Sequence, residues 1–342
     1  MFKKMMLVLA AVAVLSGIFS SAADPVTYRK ISSGFDFYSA SGKIMDIATD
    51  TAKNYVYLFH YKDPLPDRLA MWDDKIGDSI ISRIDGQGKD VPTDKVKTFN
   101  KGHVCGMDGS FQDGIIETGM NSSVITSDTN FTLNRGHRVL TSISGGGPVL
   151  RRYDQNLDYI GAWAYPIQKT NIWFYVVGKW DQCLASDKNG NIYYSLHCHD
   201  LDTNSIYKFS SDGTFIRFWG MLGKTNGKFD ELVAIVVDKN AEILYALDRS
   251  ERMQKFSLNG TFKGKWIYQG GNPIDMTIDP RHHELFVSDG QKVHRYSENG
   301  EKLEVITPNN GAHGLAYNEN LGKGYLYITH GKRITVWERS ER

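Results

Sequence analysis

The side chains best equipped for chemistry sit in a few places. The densest group is His197-Cys198-His199-Asp200. On an extended strand His197 and His199 point to one side and Cys198 to the other, so the group offers a metal two imidazoles rather than a Cys–His pair. His313 and His330 add two more candidate ligands, and Asp46 and Asp275 are candidate bases. Zinc or calcium held by His313, His199, His330 or His197 would polarise a ligand oxygen or activate water. Such a centre needs about three protein ligands. Trp173, Trp180 and Asp181, with His313, form a candidate ligand-binding face in which the aromatics offer a platform for a sugar or peptide. Nucleophile-elbow and phosphate-loop chemistry is excluded. No Gly-x-Ser-x-Gly occurs, and Gly145-Gly146-Gly147 leads through Pro148 into a strand rather than a helix.

These residues are far apart in the chain, so repeated elements must bring them to one surface. Residues 180 to 306 repeat one pattern three times. Asp187-Lys188-Asn189-Gly190-Asn191-Ile192-Tyr193 is answered by Asp238-Lys239-Asn240 with Ile243-Leu244-Tyr245, and by Asp279-Pro280 with Leu285-Phe286-Val287. Ile206-Tyr207-Lys208-Phe209 and Asp212-Gly213 are answered by Met253-Gln254-Lys255-Phe256 and Asn259-Gly260, then by Val293-His294-Arg295-Tyr296 and Asn299-Gly300. Each unit reads as four short β-runs parted by Asn, Asp and Gly turns, the sequence form of a propeller blade. One blade cannot bury both faces, so the repeat predicts a closed ring.

The expected fold is all-β, a six-bladed β-propeller in one domain over 24–342. The blades are placed at about 44–99, 121–164, 180–220, 231–267, 272–306 and 311–337. Residues 100–120 read as Gly-rich and irregular, and 165–180 as a connection between blades. The last blade is one strand short, and the N-terminal run 26–31 is expected to complete it, removing two exposed sheet edges. Aligning the blades on Asp50, Asp128, Asp187, Asp238, Asp279 and Asn318 gives two rings on one face. The first is Met45, Ser123, Gln182, Val233, Ile274 and His313; the second is His60, Ser144, His197 or His199, Asp248, Asp289 and His330. The plain structural alternative is that Asp248 and Asp289 cap the turns they precede, and that His313 is hydrogen-bonded in the channel mouth.

The first 23 residues read as a secretory leader, with Lys3 and Lys4 before an apolar run from Leu7 to Phe19 and Ser21-Ala22-Ala23 at the cleavage point. The mature chain is therefore expected to be secreted or periplasmic, off the membrane, and monomeric. Net charge is +1, and close to −1 without the leader, which gives no electrostatic case for nucleic acid. The cysteines are Cys105, Cys183 and Cys198, so at most one internal bridge forms, with Cys183–Cys198 the candidate pair. Asn121, Asn130 and Asn259 head glycosylation triplets, which matter only in a eukaryotic host.

The recurring Asp, Asn-Gly-Asn-Ile-Tyr, Ile-Tyr-Lys-Phe and Asp-Gly elements resemble NHL-repeat six-bladed β-propellers over about residues 44 to 337. That resemblance implies a binding scaffold, a sensor, or an amidoglycolate lyase or lactonase. The lyases use zinc-binding histidines from three blades, and of the first ring only His313 matches. The leading expectation is a non-catalytic scaffold that binds protein, peptide or glycan through the inter-blade loops. The alternative is a metal-dependent lyase or lactone hydrolase at the channel mouth.

Overall fold

The computed structural model describes residues 26–31, 44–50, 54–61, 79–85, 97–99, 102–111, 114–121, 131–134, 138–141, 149–154, 159–164, 173–175, 184–196 and 204–340. Among these residues the protein is all-β. It forms seven small antiparallel sheets, six of four strands and one of three.

Strand β1 (Thr27–Lys30) opens the described chain. The first sheet follows in order: β2 (Ile44–Asp50), β3 (Tyr55–Tyr61), β4 (Ser79–Asp85) and β5 (Lys97–Phe99). The second takes β6 (Gly102–Phe111) and β7 (Gly114–Asn121), then β10 (Val149–Asp154) and β11 (Tyr159–Ala164). Between them β8 (Phe131–Asn134) and β9 (Arg138–Thr141) form a hairpin that pairs with β12 (Trp173–Tyr175). The third sheet is β13 (Leu184–Ser186), β14 (Ile192–Leu196), β15 (Ser205–Phe209) and β16 (Phe215–Gly220). The fourth is β17 (Leu232–Asp238), β18 (Ile243–Asp248), β19 (Arg252–Ser257) and β20 (Phe262–Ile267). The fifth is β21 (Asp275–Asp279), β22 (Glu284–Ser288), β23 (Val293–Tyr296) and β24 (Lys302–Ile306). The sixth is β25 (Leu315–Asn320), β26 (Lys323–His330) and β27 (Arg333–Ser340), whose open side pairs with β1 from Thr27↔Ser340 to Lys30↔Trp337.

This corrects the sequence reading of the second unit. Residues 102–111 and 114–121 are not irregular; they are the paired strands β6 and β7. Residues 138–141 do form a strand, but it pairs with β8 and β12, while β10 pairs with β7. Trp173 lies on a strand rather than in a plain connection.

The repeated aspartates fold the turn between first and second strands. Asp187 Oδ1 accepts from the N–H groups of Asn189 and Asn191, and Asp238 Oδ1 from those of Asn240 and Ala241. Asp279 Oδ1 accepts from Arg281 and His282 in the same way. A carboxylate placed there satisfies turn donors that the ladder leaves unpaired. The core lies between neighbouring sheets. Leu244 and Ala246 of β18 pack with Ile235 and Phe256 towards the third sheet, while Tyr245 and Leu247 pack with Met276 and Val287 towards the fifth. A strand buried on both faces reads as a continuous apolar run. Each of the larger aliphatic side chains among them contributes about 1.5–3 kcal/mol on burial. The first strands touch in the order β2, β6, β13, β17, β21, β25, and β25 also touches β2.

Candidate functional site

At one face the first strands begin and the second strands end. The best-defined chemistry there lies at the seam of the fifth and sixth sheets. His313 donates its N–H to Thr329 O at 2.8 Å, and Thr329 N returns a bond to Gly314 O at 2.9 Å. This pairing sets His313 beside the end of β26, so that its ring faces His330 at 5.1 Å between centroids with a 39° tilt. Ser288 Oγ donates to His313 O at 2.8 Å, and Ala312 N donates to Gly290 O at 3.1 Å, stitching the seam. The Nδ1 of His330 is buried with no hydrogen-bond partner.

Asp275 starts β21 and is half-buried. Its Oδ1 accepts from Met276 N and its Oδ2 from Leu315 N, both at 2.7 Å. Burial pushes its carboxyl up to about 7, against the two N–H groups, which pull it down. Gly314 lies in the same wall. A Cβ there would meet Thr329 Oγ1 at 2.7 Å and Ile47 Cγ2 at 3.3 Å, and would lie 3.9 Å from Asp275 Oδ2. Only a residue without a side chain lets the three sheets approach this closely.

The other expected residues divide. Asp248 and Asp289 cap their turns. Asp248 Oδ1 accepts from the N–H groups of Ser250 and Arg252, and Asp289 Oδ1 from those of Gln291 and Lys292. Asp289 Oδ2 also takes His294 Nε2 at 2.9 Å, and Asp248 Oδ2 takes Arg252 Nη2 at 2.6 Å. Asp46 lies on β2, on the other side of β25 from Asp275. His60 lies on β3, Cys105 on β6 and Asn121 at the end of β7. Asn259 is exposed in the turn between β19 and β20. His197, His199, Trp180, Asp181, Cys183, Cys198 and Asn130 lie outside the described residues, as do Gln182, Ser123, Asp128, Ser144 and the leader.

The resemblance implies a zinc site of three histidines. Among the described residues no three His, Cys, Asp or Glu side chains gather closely enough to hold a metal ion. His313 and His330 supply two imidazoles, one with its Nδ1 turned into the protein. The described donor set does not fit that centre. Sequence reasoning missed Ser288, Thr329 and Gly314, which build the site through backbone contacts. It also missed the Asp289–His294 pair, which the short spacing across a tight turn could have suggested.

No family model matches the chain, and no curated protein matches it in sequence. It is similar in structure to a gluconolactonase from Xanthomonas campestris, with a TM-score of 0.51 and 12% identity, covering 93% of this chain and 95% of that one. It is also similar to Raptor from Chaetomium thermophilum, with a TM-score of 0.52 and 10% identity, covering 94% of this chain and 29% of that one. At such identities the likeness is one of fold.

Proposed function

We propose that the six four-stranded sheets form one closed β-propeller of NHL type, with β1 completing the last blade. We propose further that the mouth of its channel binds a small hydroxyl-rich ligand, such as the end of a glycan. The cyclic order of first-strand contacts supports the ring. So do links between successive turns on the opposite face: Lys188 with Glu242, Asp238 with His283 at 2.6 Å, Arg281 with Glu319 at 2.8 Å, and Asn318 with Asn54 at 2.8 Å. The observation that carries the binding reading is the facing His313–His330 pair beside Asp275. Imidazoles and a protonatable carboxyl both donate and accept, which suits hydroxyl groups. In this reading the mature chain is a secreted or periplasmic monomer, with protein or peptide as the alternative ligand class.

The test is capture on glycan and peptide arrays by the parent and by a His313→Ala/His330→Ala variant of unchanged stability. Glycan capture lost in the variant supports the reading. Equal capture by both removes it.

A second reading, lactone hydrolysis, is favoured by the carboxyl of Asp275, which titrates near neutrality, and by the gluconolactonase likeness. Asp275 would take a proton from the attacking water as its oxygen bonds to the carbonyl carbon. The ring C–O bond would then break, and the proton taken up by Asp275 would pass to the leaving oxygen, with an imidazole as relay. Hydrolysis of glucono-δ-lactone by the parent but not by Asp275→Asn would support this reading. No rate above background in the parent would remove it.

A further inference from the structure

An Asn-Gly step is where a chain most readily attacks itself, because a glycine with no Cβ leaves its own N–H uncrowded. The sequence has five such steps: Asn189-Gly190, Asn226-Gly227, Asn259-Gly260, Asn299-Gly300 and Asn310-Gly311. All lie among the described residues. Gly190 N donates to Asp187 O at 3.0 Å, Gly260 N to Ser257 O at 2.9 Å, and Gly300 N to Ser297 O at 3.0 Å. Gly227 N donates to Gln254 Oε1 at 2.9 Å. Gly311 N is held more loosely. It reaches Pro308 O at 3.4 Å, beyond the usual span of an N–H donor.

This loosest step stands in the connection from the fifth sheet to the sixth, against the His313–His330 pair. Gly311 has a φ of 91°. A Cβ on it would lie 2.8 Å from both Gly290 O and His330 Nδ1. The next residue, Ala312, donates to Gly290 O at 3.1 Å, and His313 follows it. A change in the main chain at residue 310 is therefore passed to both imidazoles.

We propose that Asn310 converts spontaneously to isoaspartate and aspartate, and that the conversion displaces the His313–His330 pair. Gly311 N attacks the side-chain amide carbon of Asn310. A C–N bond forms there, and the amide nitrogen leaves as ammonia with the proton from the N–H. Water then opens the succinimide ring by breaking one of its two C–N bonds. Breaking the new bond gives aspartate. Breaking the old main-chain bond gives isoaspartate, whose backbone runs through the former side chain and is one methylene longer. Either product adds a negative charge beside the glycine on which the His330 ring rests. Exposure would rank the sites differently, since Asn189, Asn226, Asn259 and Asn299 are exposed and Asn310 is half-buried. The attacking nitrogen belongs to the chain, however, and water enters only to open the ring. None of this depends on which ligand the mouth takes.

The whole mature protein, aged in warm, mildly alkaline buffer, reads the rates when each Asn-Gly peptide is mapped by mass over time. A parallel sample unfolded in guanidinium frees all five N–H groups and gives the intrinsic rate of each step. In the folded chain Asn310 should convert faster than the other four, by up to about tenfold, the factor that one hydrogen bond on the attacking N–H sets. The isoaspartate form, separated by ion exchange, should show displaced NMR ring signals for His313 and His330. Asn310→Gln should keep the parent's signals through the same ageing. The proposal is overturned if folded Asn310 stays intact, or is matched by another of the five, over the time in which the unfolded sample converts. It is equally overturned if the isoaspartate form leaves both ring signals in place.

Discussion

At Asp275 burial and two backbone donors pull in opposite directions, and burial wins. The carboxyl is raised from 3.8 to about 7. Between those values the folded chain holds a proton that the unfolded chain has lost. Its contribution to stability is therefore full at low pH and is lost as pH rises from about 4 through 7, by at most about 4 kcal/mol. Denaturant unfolding at pH 5 and pH 8 should show the parent weakening and Asp275→Asn weakening less; equal loss in both would assign the effect elsewhere. Arg252 is the other residue whose removal should be costly. It is buried, pairs with Asp248, and donates to Gly223 O at 2.9 Å and Lys228 O at 3.3 Å, which fixes the connection from the third sheet to the fourth. Arg252→Met leaves the Asp248 charge buried without its cation. We expect a loss of about 3–5 kcal/mol, read from the denaturant midpoint.

Along the outer edges of the sheets, a tryptophan of one sheet sits on a glycine of the next. A Cβ on Gly260 would lie 2.6 Å from the Trp219 ring, and one on Gly300 2.5 Å from the Trp266 ring. Both glycines have positive φ, 81° and 87°. Gly260→Ala and Gly300→Ala should each cost about 1–3 kcal/mol, from backbone strain and crowding together. Gly331, with φ 60° and nothing within 4 Å, separates the two effects, because Gly331→Ala carries the strain alone. Thermal unfolding of the three variants should rank them accordingly. The turn at Asn259-Gly260 was legible in the sequence because Asn-Gly marks turns locally. Its contact with Trp219 was not, since it depends on how two units meet. The second sheet shows the same limit. Gly102, Gly106, Gly109, Gly114 and Gly119 dilute the apolar alternation of β6 and β7, so they read as loop. Residues 139–141 correctly read as extended, but nothing local names their partner. At the site, His313, His330 and Asp275 stood out by residue type, whereas the Ser288 hydroxyl and the Thr329 backbone act by bonding the main chain of residues 313 and 314, which no side-chain pattern announces.

For the whole molecule, the strand that matters most is the short β1. Tyr28 is buried between the fifth and sixth sheets, edge-on to Phe286 at 5.2 Å, with the guanidinium groups of Arg295 and Arg339 over its ring at 5.5 and 6.0 Å. Its N–H donates to Glu304 Oε1 at 3.1 Å, and Arg295 Nη2 donates to Val26 O at 2.6 Å. Tyr28→Ala should cost about 3–5 kcal/mol by loss of a large buried ring, and should expose the β27 edge to association. Light scattering across a concentration series would show the second effect. An unchanged midpoint would mean that β1 is dispensable. Thr27 opposite Ser340 also fixes a mechanical property. The chain enters β1 and leaves β27 at the same end of an antiparallel pair. Tension applied through the two termini therefore unzips the ladder one pair at a time instead of shearing four pairs together. The protein should open at low force from its ends, and a tether at one terminus alone should not load this pair at all.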